Sequence, residues 1–169
     1  MTQALVAIVM GSDSDLPVIE STFAILRQLD IPFEARITSA HRTPAETQAY
    51  VHDAEARGCA VFIAAAGLAA HLAGAVASQT CRPVIGIPLN AGPLQGMDAL
   101  LSTVQMPGGI PVASVAIGKP GAKNAGWLAA QILALQDPAL ATRLREARAE
   151  ESQSVIAKNQ QLQDRLGTN

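Results

Sequence analysis

The sequence predicts an α/β protein, a three-layer doubly wound parallel sheet of about five strands with an extra C-terminal helix. Three observations carry this. Five short apolar runs recur along the chain, each followed by a small-residue turn and a stretch of helical spacing. The connections between them are short, and right-handed crossovers then set every strand C-terminus on one edge. Hydrophobic residues are 49% of the 169 but aromatics only 3%, so the interior is built from Ala, Val, Ile and Leu, which suits close packing of helices on a sheet. A single domain spanning 1–169 is expected, with a core at about 4–136 and a helical tail at about 138–166.

Ala4–Met10 reads as a strand buried on both faces. It ends in Gly11-Ser12-Asp13-Ser14-Asp15, where Asp15 is expected to cap a helix that Pro17 helps to start, with Val18, Ile19, Phe23, Ile25, Leu26 and Leu29 as its apolar stripe. A strand, a Gly/Ser turn and a helix N-terminus together suit an anion. Phe33–Thr38 is the second strand. The loop Ser39-Ala40-His41-Arg42 follows it, and then a helix from Thr43 to about Arg57 with Gly58 as its stop; Thr43, Pro44 and Glu46 read as a capping box with proline at the first helical position. His52, within that helix, reads as a surface residue.

Ala60–Ala66 is the third strand, leading through Gly67 and a run of alanines to His71 and a small-residue helix to about Thr80. Gly67 lets backbone approach a ligand and the alanines leave room beside it. His71 opens an apolar helix, where a histidine serves as a capping or core residue or is aimed into that room. Val84–Leu89 is the fourth strand, followed by the loop Asn90–Gly96, a candidate lid, and a short helix from Asp98. The fifth strand is Val112–Ile117, and a helix then runs to about Gln136 on a stripe of Trp127, Leu128, Ile132 and Leu135. Asp137-Pro138 starts the last helix. Its apolar positions, Leu140, Leu144, Ala147, Val155 and Ile156, look too sparse for a core and point to a tail lying across a neighbouring subunit or fraying.

The loops at 11–15, 39–44, 67–74, 89–97 and 118–123 are expected to meet at the C-terminal edge of the sheet. Alone, His41 and Arg42 would be ordinary loop residues; this convergence makes them a site. An imidazole titrates near neutrality and suits a group that both takes and gives a proton. A guanidinium offers a planar fork to a phosphate or carboxylate.

The formal net charge of −2 and the lack of any Lys/Arg run give no footprint for nucleic acid or an acidic membrane. No apolar run reaches membrane-spanning length and no basic leader precedes the first strand, so a cytoplasmic location is expected. Charged residues are 15%, against roughly 25% in an ordinary soluble domain, which points to faces buried in a homo-oligomer. Cys59 and Cys81 lack metal-type spacing and read as small buried apolar residues.

Gly11-Ser12-Asp13-Ser14-Asp15, Ser39-Ala40-His41-Arg42-Thr43-Pro44, Ala69-Ala70-His71-Leu72, Val104-Gln105-Met106-Pro107, Ala116-Ile117-Gly118 and Lys123-Asn124-Ala125 together resemble the class I PurE family, in order and spacing from about Val6 to Leu135. The resemblance implies a flavodoxin-like fold, an octamer, and no metal or organic cofactor. It implies an isomerase of purine biosynthesis, an N5-carboxyaminoimidazole ribonucleotide mutase that moves a carboxylate from the exocyclic nitrogen to ring carbon C4. Carried over by motif, His41 is the general acid/base. Ser12, Asp15 and Arg42 hold the ribose phosphate, Gly11, Ser39 and Ala40 are further substrate-binding residues, and Gly67, Ala70, His71 and Leu72 line the aminoimidazole and carboxylate region. Asp13 is left out because its carboxylate would repel a phosphate. The chain departs from the family pattern at Ala65-Ala66-Gly67-Leu68, at Ala73 and at Asn90-Ala91-Gly92-Pro93.

Three other readings stay open. The same C4 chemistry serves a carboxylase that uses free CO2. A signalling receiver domain would use Asp13, Asp15 and Lys119, but the third strand ends in Ala64-Ala65-Ala66-Gly67 without a phosphate-accepting aspartate. A flavin or nucleotide-binding module would want aromatics to stack on a flavin.

Overall fold

The computed structural model describes residues 5–167, so Ala4, the first residue of the predicted first strand, lies outside them. Five strands form one parallel sheet: β1 (Leu5–Met10), β2 (Phe33–Ile37), β3 (Cys59–Ala66), β4 (Val84–Pro88) and β5 (Ala113–Ser114). Their order, β2-β1-β3-β4-β5, is the flavodoxin-like one. The predicted fold class stands.

The helices are α1 (Leu16–Gln28), α2 (Pro44–Ala56), α3 (Leu72–Ala77), α4 (Met97–Val104), α5 (Lys119–Ala134) and α6 (Pro138–Leu166). Alternation along the strands feeds two cores. Val6, Ile8 and Met10 of β1 join Val61, Ile63, Ile85 and Ile87 under α1 and α5, while Ala7 and Val9 join Phe62, Tyr50, Val51 and Val76 under α2 and α3. Small residues let α5 come close to α1: Ala122, Ala125 and Ala129 are fully buried, and a Cβ on Gly126 would stand 2.9 Å from Cβ of Ile25. The scarcity of aromatics is therefore made up by short helix separations.

Several expectations are corrected. β5 is two residues rather than Val112–Ile117. Beyond it only Val115 N–H to Gly86 O (3.1 Å) and Gly118 N–H to Pro88 O (2.9 Å) continue the pairing, because Pro88 has no N–H to offer an edge strand. α3 ends at Ala77, where the Ser78 hydroxyl turns back to the Ala75 carbonyl. Leu135 is 84% exposed, just past the last turn of α5. Asp137 does cap α6, accepting from Leu140 N–H at 3.0 Å. Leu140, Leu144 and Ala147 are buried in the first core rather than too sparse for one, and Arg143 Nε donates to Leu29 O at 3.0 Å; beyond Ala147 the helix faces solvent.

Cys59 is buried as expected, and Cys81 is exposed in the turn after α3. Burial pushes the Cys59 thiol up to about 11, so its nucleophilic thiolate is scarce at ordinary pH. A maleimide at pH 8 is expected to leave Cys59 unmodified in the native protein and to label it once denaturant is added. Mass spectrometry showing native labelling at Cys59 would contradict this burial. No helix among the described residues is long and apolar enough to cross a membrane.

Candidate active site

A cavity of about 530 Å³ opens at the carboxyl edge of the sheet, lined from the loops after β1, β2, β3 and β4. That is the size of a small-molecule site, and it lies at the β1/β3 switch point, where the chain leaves neighbouring strands toward opposite sides.

Ser12, not Asp15, caps the first turn. It heads a short 3₁₀ turn (Asp13–Asp15) whose capping box pairs Ser14 N–H with Ser12 Oγ (3.2 Å) and Ser12 N–H with an Asp15 carboxylate oxygen (3.0 Å). The Asp15 side chain is thus turned back along the loop, one turn before the predicted cap of α1. Burial raises its pKa, against the lowering effect of backbone N–H groups. Ser14 Oγ donates to Ser12 Oγ at 2.9 Å, so two hydroxyls stand together at the mouth.

The loop after β2 is shaped by its own polar groups. Ser39 N–H donates to Thr43 Oγ1 (2.9 Å), Thr43 N–H to Ser39 O (2.9 Å), and Arg42 N–H to Ser39 Oγ (3.1 Å). The Thr43 hydroxyl is occupied in this turn and makes no helix cap, so the predicted capping box with Glu46 does not form. Nothing in the loop engages the Arg42 guanidinium, which has no hydrogen bond or ion pair among the described residues and lies at the cavity wall. His41 Nε2 and His71 Nδ1 are 2.8 Å apart, their rings edge-on at 86°. One of those nitrogens carries the shared proton, so each ring fixes the tautomer of the other.

The cavity brings together Gly11, Ser12, Asp15, Ser39, Ala40, His41, Arg42, Gly67, His71 and Leu72. Ala70 is the exception: it is buried beneath the lining, with its N–H donated to Ser102 Oγ at 3.0 Å. His52 is exposed on α2, away from the lining. Ser14, Ala66, Leu68, Ala69 and Ala91 also line the cavity, beyond the residues singled out from sequence. The loop at 118–123 does not reach it; Gly118 and Lys119 line a neighbouring cavity of about 490 Å³ that shares Ser14, Asp15 and Ala91.

The lining combines serine hydroxyls, a carboxylate, a guanidinium and the imidazole pair with alanines, Gly67, Leu68 and Leu72. Fold and site together define a flavodoxin-like α/β protein whose cavity sets an imidazole pair among serine hydroxyls and a guanidinium. Residues 5–154 match the AIR carboxylase family model. N5-carboxyaminoimidazole ribonucleotide mutase of Bacillus subtilis is 51% identical over 160 residues, covering 95% of this chain and 99% of that protein. The Thermotoga maritima protein of the same name is 51% identical, covering 94% and 91%. The crystal structure of Treponema denticola PurE has a TM-score of 0.86 at 30% identity, covering 95% of this chain and 99% of that one. The chain belongs to the AIR carboxylase (PurE) family.

Proposed function

We propose that this protein is an N5-carboxyaminoimidazole ribonucleotide mutase, an isomerase of purine biosynthesis that moves the carboxylate from the exocyclic nitrogen to C4. The observation that carries the reading is the His41–His71 pair, in a cavity lined by serine hydroxyls, a guanidinium and small apolar residues. Relatives matched over nearly their whole length carry that name.

In this reading Ser12, Arg42 and the loop residues Gly11, Ser39 and Ala40 hold the ribose phosphate, and Asp15 accepts from ribose hydroxyls. Gly67, His71 and Leu72 flank the aminoimidazole. His41 gives its proton to the exocyclic nitrogen as the C–N bond breaks and CO2 leaves. The C4 carbon, an enamine-type nucleophile, attacks the trapped CO2, and the same imidazole takes the proton from C4. Holding CO2 beside the ring makes the second bond effectively intramolecular. The low charge content and the exposed outer half of α6 support a homo-oligomer, read as an octamer, and the reading places the protein in the cytoplasm.

The test compares product formation from N5-carboxyaminoimidazole ribonucleotide with that from aminoimidazole ribonucleotide plus bicarbonate. Fast product from the carbamate alone supports the mutase, similar efficiency from both makes the protein a carboxylase, and no product from either refutes both. Arg42→Lys is expected to raise KM about tenfold with kcat little changed, since a point charge replaces a bidentate fork. An unchanged KM would count against a phosphate role for Arg42.

A further inference from the structure

Leu68 adopts a left-handed backbone, φ 56°, which a leucine takes up only where its surroundings impose it. Leu68 is 52% exposed, so about half of the residue rests on protein. Where it rests is informative: a Cβ built on Gly92 would lie 2.6 Å from Leu68 Cδ2, and one built on Gly67 would lie 2.6 Å from Cβ of Ala91. The loop after β3 and the loop after β4 therefore meet closely at two places. No hydrogen bond among the described residues crosses between Gly67–Leu72 and Asn90–Gly96. The last one, Leu89 N–H to Ala66 O at 2.9 Å, precedes both. Apolar contact is what joins the two loops, at a place where Gly67, Leu68 and Ala91 line the cavity.

We infer that Leu68 is a latch, fastening the Asn90–Gly96 loop to the loop after β3 so that the two stay together beside the cavity while CO2 is free in it. This rests on the carboxylate-transfer reading, in which CO2 must stay beside C4 for the second bond to form. Leu68 makes no contact with the reacting atoms in this account. It is a positioning residue whose loss lets the intermediate out.

Two measurements test it. In Leu68→Ala, amide hydrogen exchange across residues 90–96 is expected to rise about fivefold, as for losing a half-buried leucine contact, while β1 and β3 keep their protection. With N5-carboxyaminoimidazole ribonucleotide as substrate, the share of turnovers ending in free aminoimidazole ribonucleotide is expected to rise by a similar factor. Leu68→Met restores both, because it refills the contact. Unchanged exchange at 90–96 overturns the latch, whatever the activity. Raised exchange with an unchanged partition leaves the loop contact standing and overturns its role in retention. A wild-type protein that makes no product refutes the functional reading, while the exchange result still decides whether Leu68 holds the loop.

Discussion

His41→Asn is expected to lose 10²- to 10⁴-fold in kcat, about 3 to 5 kcal/mol of barrier, with substrate binding retained. Both half-reactions need a proton moved, one to nitrogen and one from carbon, and asparagine can hydrogen-bond but cannot carry that proton. The fold has no stake in the imidazole. The loop is held by Ser39, Arg42 N–H and Thr43, and among the described residues the only side-chain partner His41 loses is His71 Nδ1. His71→Asn removes the ring that sets the His41 tautomer while leaving the titrating group, so its loss should be smaller. Steady-state kinetics with a thermal melt decides the matter. A His41→Asn protein with near-normal kcat sinks the assignment, and one that melts early shows a structural role instead.

How much of this was legible in the sequence depended on how local each determinant is. β1, β3 and β4 are continuous apolar runs, and their bounds came out within a residue of the expected ones. Asp137 caps α6 as read, because nothing upstream competes for its carboxylate. Asp15 and Thr43 stand at the N-cap positions of α1 and α2, as expected, but neither side chain caps its helix, because each is used one turn earlier, in a loop that the linear pattern does not weigh. Ser12 and Asp15 stand at capping-box spacing, a signal that was available. The His41–His71 pair was out of reach, since two residues 30 apart meet only through the register of β1 with β2 and β3. Leu140 and Leu144 looked too sparse for a core because burial there comes from the α5 surface beside them. Leu68 is legible only as a departure from the family pattern, because its contact is with Gly92 in a loop that the linear pattern does not bring beside it.

Gly121→Ala is expected to destabilise the protein by about 3 kcal/mol, at the upper end for overpacking, and to lower Tm by roughly 10 °C. Gly121 is buried in the first turn of α5, and a Cβ there would collide with the carbonyl group of Ala116. Both sides of the clash are backbone-defined, so no rotamer change relieves it. The Ala116 side cannot retreat cheaply, because Val115 N–H and Gly118 N–H are bonded to Gly86 O and Pro88 O on either side of it. The α5 side cannot lift either, because Ala122, Ala125 and Ala129 are fully buried and Gly126 already lies close to Ile25 of α1. The methyl group must therefore break β4–β5 pairing or separate α5 from α1. Gly126→Ala should cost less, since its nearest conflict is with the Ile25 side chain. A Gly121→Ala protein unfolding within about 0.5 kcal/mol of wild type, the range of an ordinary surface substitution, would mean that the approach of α5 to Ala116 is looser than this packing requires.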